Sequence, residues 1–131
     1  MKNSVGVWID HKKAVIVTLA EGGDAIKRIP SNLELDFLPP PGSRNGVLHF
    51  PGVQSERQFM GHLIRYYDEV ISFLHGAEMI LLLGPGEVKG DLKKSIKSNG
   101  LSGQVEVIET TEKMTDQQIA AKVREYFVKA N

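Results

Sequence analysis

The sequence predicts an α/β fold in which a mixed five-stranded sheet carries helices on its faces. The prediction depends chiefly on residues 79–83, an unbroken apolar run that is typical of a central parallel strand buried on both faces. The run stops at the Gly-Pro-Gly of residues 84–86, which suits a tight reversal, and an amphipathic helical pattern begins at once. Lysines cover the other faces of that helix, and its apolar residues recur at every fourth position: Val88, Leu92 and Ile96.

Length and composition bound the class of protein. The chain has 131 residues with 41% apolar content, and residues 1–131 are predicted to form one domain with a single core. Its 16 basic and 16 acidic residues cancel, so charge alone does not indicate a nucleic-acid partner. The absence of cysteine excludes disulfides, thiol catalysis and thiolate metal ligands. Neither a membrane span nor a signal peptide is recognisable, so we expect a cytoplasmic protein without a membrane partner.

The first part of the chain predicts an antiparallel meander. Three apolar stretches are separated by short polar turns, as hairpin connections require. The predicted strands are residues 5–10, 14–19 and 25–29. The third stretch alternates apolar and basic residues, which indicates a strand with one face in water.

Residues 30–54 are predicted to form a long loop, and their composition differs from the rest of the chain. They hold five of the six prolines, including a triple proline at 39–41 that favours extended polyproline II. The pair Asn45-Gly46 is typical of a type I′ turn, and a short strand is predicted at 47–50. A loop of this length within a compact domain is usually functional or disordered. We therefore expect the specific function of the protein to reside in this loop.

The remainder alternates helices and strands. A capping box at 55–58 opens a long helix that is predicted to end near residues 75–76. The central strand, the lysine-rich helix and a fifth strand at 105–108 follow, and a second capping box at 115–118 opens the last helix. This three-strand meander followed by α-β-α-β-α is the layout of the ribonuclease H-like fold. Connection rules place strand one beside strand four, with the meander on one side and strand five on the other.

Asp10 is the acidic residue best placed for metal-dependent chemistry, because it ends the first predicted strand. Nucleases of this fold hold two divalent metals between carboxylates at the centre of the sheet. No carboxylate directly follows strand four, since Glu87 lies a turn further on. A hairpin residue that bonds nearby backbone is the better interpretation of Asp10. The four histidines also lack the spacing of a helical metal pair, so the sequence predicts no catalytic residue, no metal and no cofactor.

Gly84 and Gly86 form a candidate anion-binding turn. Backbone N–H groups and the helix dipole converge at the start of the lysine-rich helix, where an anion would be stabilised. The turn matches neither the phosphate loop of nucleotide-binding proteins nor the Rossmann glycine pattern. A strand-to-helix turn explains both glycines without any ligand. An anion-binding site is therefore the weaker interpretation, and a purely structural turn the stronger.

Residues 80–92 resemble the strand–turn–helix of the central domain of archaeal and eukaryotic class-1 peptide-chain release factors and of Pelota. In that domain an apolar strand ends in a Gly-Pro-Gly-like turn, and a lysine follows shortly afterwards. Residues 7–14 also resemble the first hairpin of the bacterial relatives of this domain. The resemblance extends over nearly the whole chain in element order. It implies a ribonuclease H-like fold and a role in translation.

In release factors the loop before the long helix carries Gly-Gly-Gln, which enters the ribosomal peptidyl transferase centre and promotes peptidyl-tRNA hydrolysis. The matching loop here lacks that motif, and the nearest string is Gly-Val-Gln at 52–54, whose β-branched Val53 does not readily adopt positive φ. The resemblance therefore implies a protein without enzymatic activity that binds structured RNA or a ribosomal component. The predicted contact residues lie in the 39–57 loop and on the lysine-rich helix: Arg44, Asn45, His49, Gln54, Arg57, Lys89 and Lys93.

Two alternatives from other functional classes remain open. The first is a metal-dependent nuclease or phosphodiesterase centred on Asp10. The second is a homo-oligomeric interaction module in which the proline-rich loop docks onto a neighbouring chain. The lack of a second carboxylate weighs against the nuclease, whereas the near-neutral charge leaves the interaction module open.

Overall fold

The computed structural model describes residues 4–19, 23–31, 53–101 and 105–130, without the side chains of 53–56, 106 and 129–130. The strands of this part are β1 (Ser4–Ile9), β2 (Lys13–Leu19), β3 (Ala25–Pro30), β4 (Met79–Gly84) and β5 (Val105–Thr110). Its helices are α1 (Val53–Ser72), α2 (Val88–Ser98) and α3 (Asp116–Ala130). None of these helices is both long enough and apolar enough to cross a membrane. The short strand predicted at 47–50 lies outside the described residues.

The strands form one sheet in the order β3-β2-β1-β4-β5. The pairs β1–β2 and β2–β3 are antiparallel, whereas β1–β4 and β4–β5 are parallel. This is the mixed sheet of the predicted ribonuclease H-like layout, with strand one beside strand four as expected. Strands β1, β3, β4 and β5 all end at the same edge of the sheet, which we term the carboxyl edge. Helices α2 and α3 begin there.

The sheet separates two apolar cores because successive side chains point to opposite faces. Helices α1 and α2 cover one face, where Leu92 and Ile96 pack against Ile80 and Leu82. Helix α3 covers the other face. It packs against the strand residues whose side chains point to that face: Trp8, Val15, Val17, Leu81 and Leu83. The prediction that strand β4 is buried on both faces is therefore confirmed.

The helix boundaries agree with the sequence patterns only in part. The second capping box is confirmed: the N–H of Gln118 donates to Thr115 Oγ1 at 3.1 Å, and the N–H of Thr115 donates to Gln118 Oε1 at 2.9 Å. The first is wrong as a cap, because α1 begins at Val53 and Ser55 lies within its first turn. Val53 and Gln54 both accept helical dihedral angles, so the helix continues back through them.

The end of α1 also differs from the prediction. The helix ends at Ser72, and residues 73–76 form tighter turns instead of continuing it. The N–H of Leu74 donates to the Ile71 carbonyl, and the N–H of Ala77 donates to the Leu74 carbonyl, both three residues back. Gly76 then has a positive φ of 87°, which reverses the chain toward β4.

Candidate functional site

Helix α1 is longer than the sheet on which it packs. Its 20 residues span about 30 Å, whereas the six residues of β4 span about 20 Å. Tyr66 marks the carboxyl edge, since its hydroxyl donates a 3.0 Å hydrogen bond to the Asp10 carbonyl just after β1. The surplus length therefore lies before Tyr66. We refer to residues 53–65 as the amino-terminal half of α1. Its first turns reach past the carboxyl edge, and Phe59 and Leu63 still pack in the core.

The amino-terminal half of α1 presents both charged and apolar side chains to solvent. Arg57 and Arg65 are exposed. Met60 and Ile64, one helical turn apart, are 52% and 53% exposed. Phe59 and Leu63 on the adjoining face belong to the core and hold this part of the helix in place. Surface of this mixed character is typical of a contact site.

A cavity of about 200 Å³ lies between α1 and the end of β3. Its lining comes from both elements: Pro30, Ser31, His62, Arg65, Tyr66 and Glu69. We refer to this cavity as the α1–β3 cleft. It opens at the carboxyl edge, where ligands of open α/β sheets commonly bind.

Two side chains of the cleft are fixed by hydrogen bonds to the β1–β2 hairpin. Ser31 is 8% exposed; its N–H donates to the Lys12 carbonyl at 2.9 Å, and its hydroxyl donates to the His11 carbonyl. The hydroxyl of Tyr66 is held by the Asp10 carbonyl. Burial raises the pKa of Tyr66, with smaller contributions from Asp10 and Tyr67, so the phenol stays protonated as a donor. The cleft therefore has a rigid floor, one exposed cation, Arg65, and one exposed anion, Glu69.

Asp10 is a turn residue in the structure. Its Oδ1 accepts the N–H groups of Lys12 and Lys13 at 2.8 and 2.9 Å, and its own N–H donates to the Lys13 carbonyl at 3.0 Å. This is the hairpin arrangement that the sequence favoured. Across residues 4–19, 23–31, 53–101 and 105–130, no three histidine or acidic side chains are arranged to hold a metal ion.

The Gly-Pro-Gly turn requires glycine for packing. Gly84 has φ +144°, and a Cβ at this position would collide with the Ile9 carbonyl oxygen. The Gly84 carbonyl also accepts the Thr111 N–H at 3.0 Å, so the turn joins the ends of β1, β4 and β5. Gly86 has φ +64°. Beside it lies a second cavity of about 350 Å³, whose lining includes two acidic and two basic residues: Glu87, Asp91, Lys89 and Lys94. These charges cancel, so they do not favour an anion over a cation.

The predicted contact residues have different positions in the fold. Lys89 was expected on a solvated face but is only 7% exposed, because its ammonium folds back and donates to the Gly86 carbonyl. Lys93 is exposed one turn further along α2, and Arg57 is exposed on α1. The remaining predictions lie outside the described side chains: Arg44, Asn45, His49 and Gln54.

Three residues of the cleft were missed by the sequence patterns. His62, Arg65 and Glu69 are spaced three and four residues apart, so they lie on one flank of α1. That polar flank lies opposite the exposed apolar pair Met60 and Ile64. The spacing was a usable signal, but no sequence pattern indicated that the end of β3 would lie against this flank.

Comparison with known proteins gives no match by sequence, either to a family model or to a curated protein. Several solved structures match. Archaeoglobus fulgidus Pelota matches with a TM-score of 0.58 at 13% identity, over 96% of this chain and 32% of that chain. A model of ribosome-bound archaeal Pelota and ABCE1 matches with a TM-score of 0.55 at 22% identity, over 95% of this chain and 32% of that one.

Archaeal translation termination factor aRF1 matches with a TM-score of 0.50 at 11% identity, over 97% of this chain and 39% of that chain. This chain therefore spans about a third of the length of the structures that it matches. At these identities the likeness concerns the fold. The chain has a fold like that of the Pelota and release-factor central domain, as the sequence resemblance implied.

Proposed function

We propose that this chain is a translation-associated binding protein without peptidyl-tRNA hydrolase activity, which contacts RNA or a ribosomal component. The amino-terminal half of α1 and the neighbouring 39–57 region form the proposed contact surface. Its similarity in fold to Pelota and aRF1 supports a role in translation, and one of the matching structures is described as ribosome-bound.

The observation that carries the proposal is the extension of α1 past the carboxyl edge. The fold needs the second half of the helix for its core, whereas the first half also exposes Arg57, Arg65 and the Met60–Ile64 pair. Arginine is well suited to phosphate contacts, and exposed apolar side chains are well suited to a protein surface. Both kinds of surface occur on a ribosome.

The absence of hydrolase activity is supported by the start of α1. Val53 and Gln54 occupy its first turn with helical backbone geometry. The release-factor motif has glycine at the position corresponding to Val53, where it permits conformations that valine rarely adopts. The Oδ1 atom of Asp10 accepts two backbone N–H groups of its own hairpin, which weighs against the nuclease alternative.

Co-sedimentation with ribosomes tests the binding role. The wild-type chain should pellet with ribosomes at low salt and be released as salt is raised, because part of the attraction is electrostatic. The double variant Arg57→Glu/Ile64→Ser should lower the bound fraction by about tenfold or more, since it alters both the charged and the apolar part of the surface. A wild-type chain that stays in the supernatant at low salt would contradict the proposal.

Lys97→Glu is the matched control. Lys97 is exposed in the last turn of α2, at the edge of the sheet opposite the proposed surface. Its reversal changes the net charge by as much as Arg57→Glu does, so it separates local contact from overall charge. We expect this variant to pellet with ribosomes as the wild type does.

A further inference from the structure

The α1–β3 cleft offers a charged donor and a charged acceptor that do not neutralise each other. Arg65 and Glu69 lie one turn apart on α1 and both line the cleft. Within the described part of the chain no ion pair joins them. Arginine preceding glutamate by four residues is also the less favourable order for pairing along a helix. Both side chains therefore keep their hydrogen-bonding capacity for another molecule.

The size of the cleft limits what it can hold. Pockets for whole small molecules enclose roughly 300–1,000 Å³. The cleft encloses about 200 Å³, so it suits one segment of a larger ligand. Its floor is preorganised, since Ser31 and Tyr66 are both bonded to the β1–β2 hairpin. Binding would therefore require little ordering of the cleft itself.

We propose that the α1–β3 cleft binds the sugar-phosphate of one ribonucleotide in single-stranded RNA. The guanidinium of Arg65 donates to the phosphate oxygens, and a fork of parallel N–H groups matches that geometry. The carboxylate of Glu69 accepts from the ribose 2′-hydroxyl, the group that distinguishes RNA from DNA. Pro30 supplies an apolar wall for the sugar. This inference rests on the proposed function, of which it names the ligand class and the site.

Glu69 is the informative residue, because a site built only for phosphate would not place a carboxylate beside its arginine. Repulsion between Glu69 and a phosphate weakens RNA and DNA binding alike. A hydrogen bond from the 2′-hydroxyl strengthens RNA binding alone. The cleft therefore favours RNA over DNA of the same sequence, and this preference depends on Glu69.

The test measures binding of the full chain to a short oligouridylate and to the matching oligodeoxyuridylate, which differ only in the 2′-hydroxyl. We expect tighter binding to the ribose form. Arg65→Gln should weaken RNA binding by about tenfold and lower the slope of log affinity against log salt by about 0.7, as the loss of one phosphate contact requires. Arg65→Lys should keep that slope yet still lose affinity, since it retains the charge without the fork.

Glu69→Ala should abolish the preference for RNA over DNA, while the control Lys97→Gln should change neither affinity nor preference. Circular dichroism and thermal unfolding verify that each variant is folded; Arg65 and Glu69 are exposed, so no loss of fold is expected. Unchanged RNA affinity in Arg65→Gln would overturn the proposal. So would an equal gain of RNA and DNA affinity in Glu69→Ala, which is the signature of repulsion alone.

Ribosome co-sedimentation separates this inference from the function on which it rests. A chain that pellets with ribosomes but does not bind oligouridylate overturns the RNA site and leaves the proposed function standing. If Arg65→Gln then also reduces pelleting, the cleft holds a protein group instead. A chain that neither pellets nor binds the oligonucleotide overturns both.

Discussion

The two halves of helix α1 carry side chains under different constraints. From Tyr66 onward the apolar positions Val70 and Ile71 of the helix are buried against the sheet. In the half before Tyr66, two large apolar side chains and two arginines face solvent. The large apolar side chains of the second half are thus all buried in the core, whereas those of the first half are divided between the core and the solvent. Residues that the core does not need are the ones available for recognition.

The sharpest test of this comparison places the same charge in the core and on the amino-terminal half of α1. Leu82→Asp buries an unpaired carboxylate in the central strand, where Leu82 is fully inaccessible, and should cost more than about 4 kcal/mol. That is a large fraction of the stability of a typical domain, so we expect no soluble folded protein. Soluble yield and far-UV circular dichroism measure the outcome.

Ile64→Asp is the matched control, because Ile64 is about half exposed on α1. Its change in unfolding free energy should stay within about 1 kcal/mol, as is usual for surface positions. If both variants fold equally well, β4 is not the centre of the core. If both fail, the amino-terminal half of α1 is as essential to the fold as the sheet.

The next largest effect concerns the turn that joins the parallel strands. Gly84→Ala should destabilise the protein by about 2–4 kcal/mol, because the residue has positive φ and its Cβ would meet the Ile9 carbonyl. Gly90→Ala in α2 should be neutral or stabilise by up to about 1 kcal/mol, since a Cβ there meets open space. Urea unfolding monitored by the single tryptophan, Trp8, measures both. Equal effects would remove the packing argument for Gly84.

Alkaline pH provides a test of the tyrosine pair at the junction of the two halves. Burial raises the pKa of Tyr66 and of Tyr67 above the ordinary tyrosine value of 10.0. The unfolded chain loses these protons first, so their contribution to stability is complete below pH 10 and is lost as the pH rises further. Each tyrosine makes the fall of the unfolding free energy with rising pH steeper by at most about 1.4 kcal/mol per pH unit. Tyr67→Phe should therefore flatten the dependence of unfolding free energy on pH above 10, and an unchanged slope would contradict its burial.

The same two tyrosines differ at neutral pH. Tyr66 donates to the Asp10 carbonyl, whereas the buried Tyr67 hydroxyl has no hydrogen-bond partner among the described residues. Tyr66→Phe should cost about 1 kcal/mol, because it removes a bond that ties α1 to the carboxyl edge. Tyr67→Phe should be neutral or stabilise by up to about 1 kcal/mol, since it removes an unsatisfied polar group. Chemical denaturation at pH 7 distinguishes them, and a larger loss in Tyr67→Phe would mean that its hydroxyl has a partner.

The sequence patterns predicted what depends on local periodicity. Strand β4 was recognisable because every residue from 80 to 83 is apolar, and α3 because Thr115 and Gln118 cap it reciprocally. Sheet order followed from the few connections that short loops allow. For the strand and the helix, residues close together in the chain carried the signal that predicted the element.

What the patterns missed depends on contacts between distant parts of the chain. Lys89 has the spacing of a solvated lysine, yet the Gly-Pro-Gly turn brings a carbonyl within reach of its ammonium. The cleft exists only because the end of β3 lies against one flank of α1, so no local pattern identified Arg65 or Glu69. The predicted loop residues Arg44 and His49 lie outside the described residues and stay predictions.

The smallest expected effect concerns the first turn of α1. We expect no peptidyl-tRNA hydrolysis on ribosomes above the uncatalysed background, and no change in Gln54→Ala. The physical reason is that Val53 and Gln54 continue the helix, whereas the release-factor motif has glycine where this chain has valine. Release of labelled peptide from archaeal ribosomes, with archaeal aRF1 as the positive control, measures this. Hydrolysis that disappears in Gln54→Ala would mean that a glutamine in a helical turn suffices for the reaction, and the amino-terminal half of α1 would then be a catalytic element as well as a contact surface.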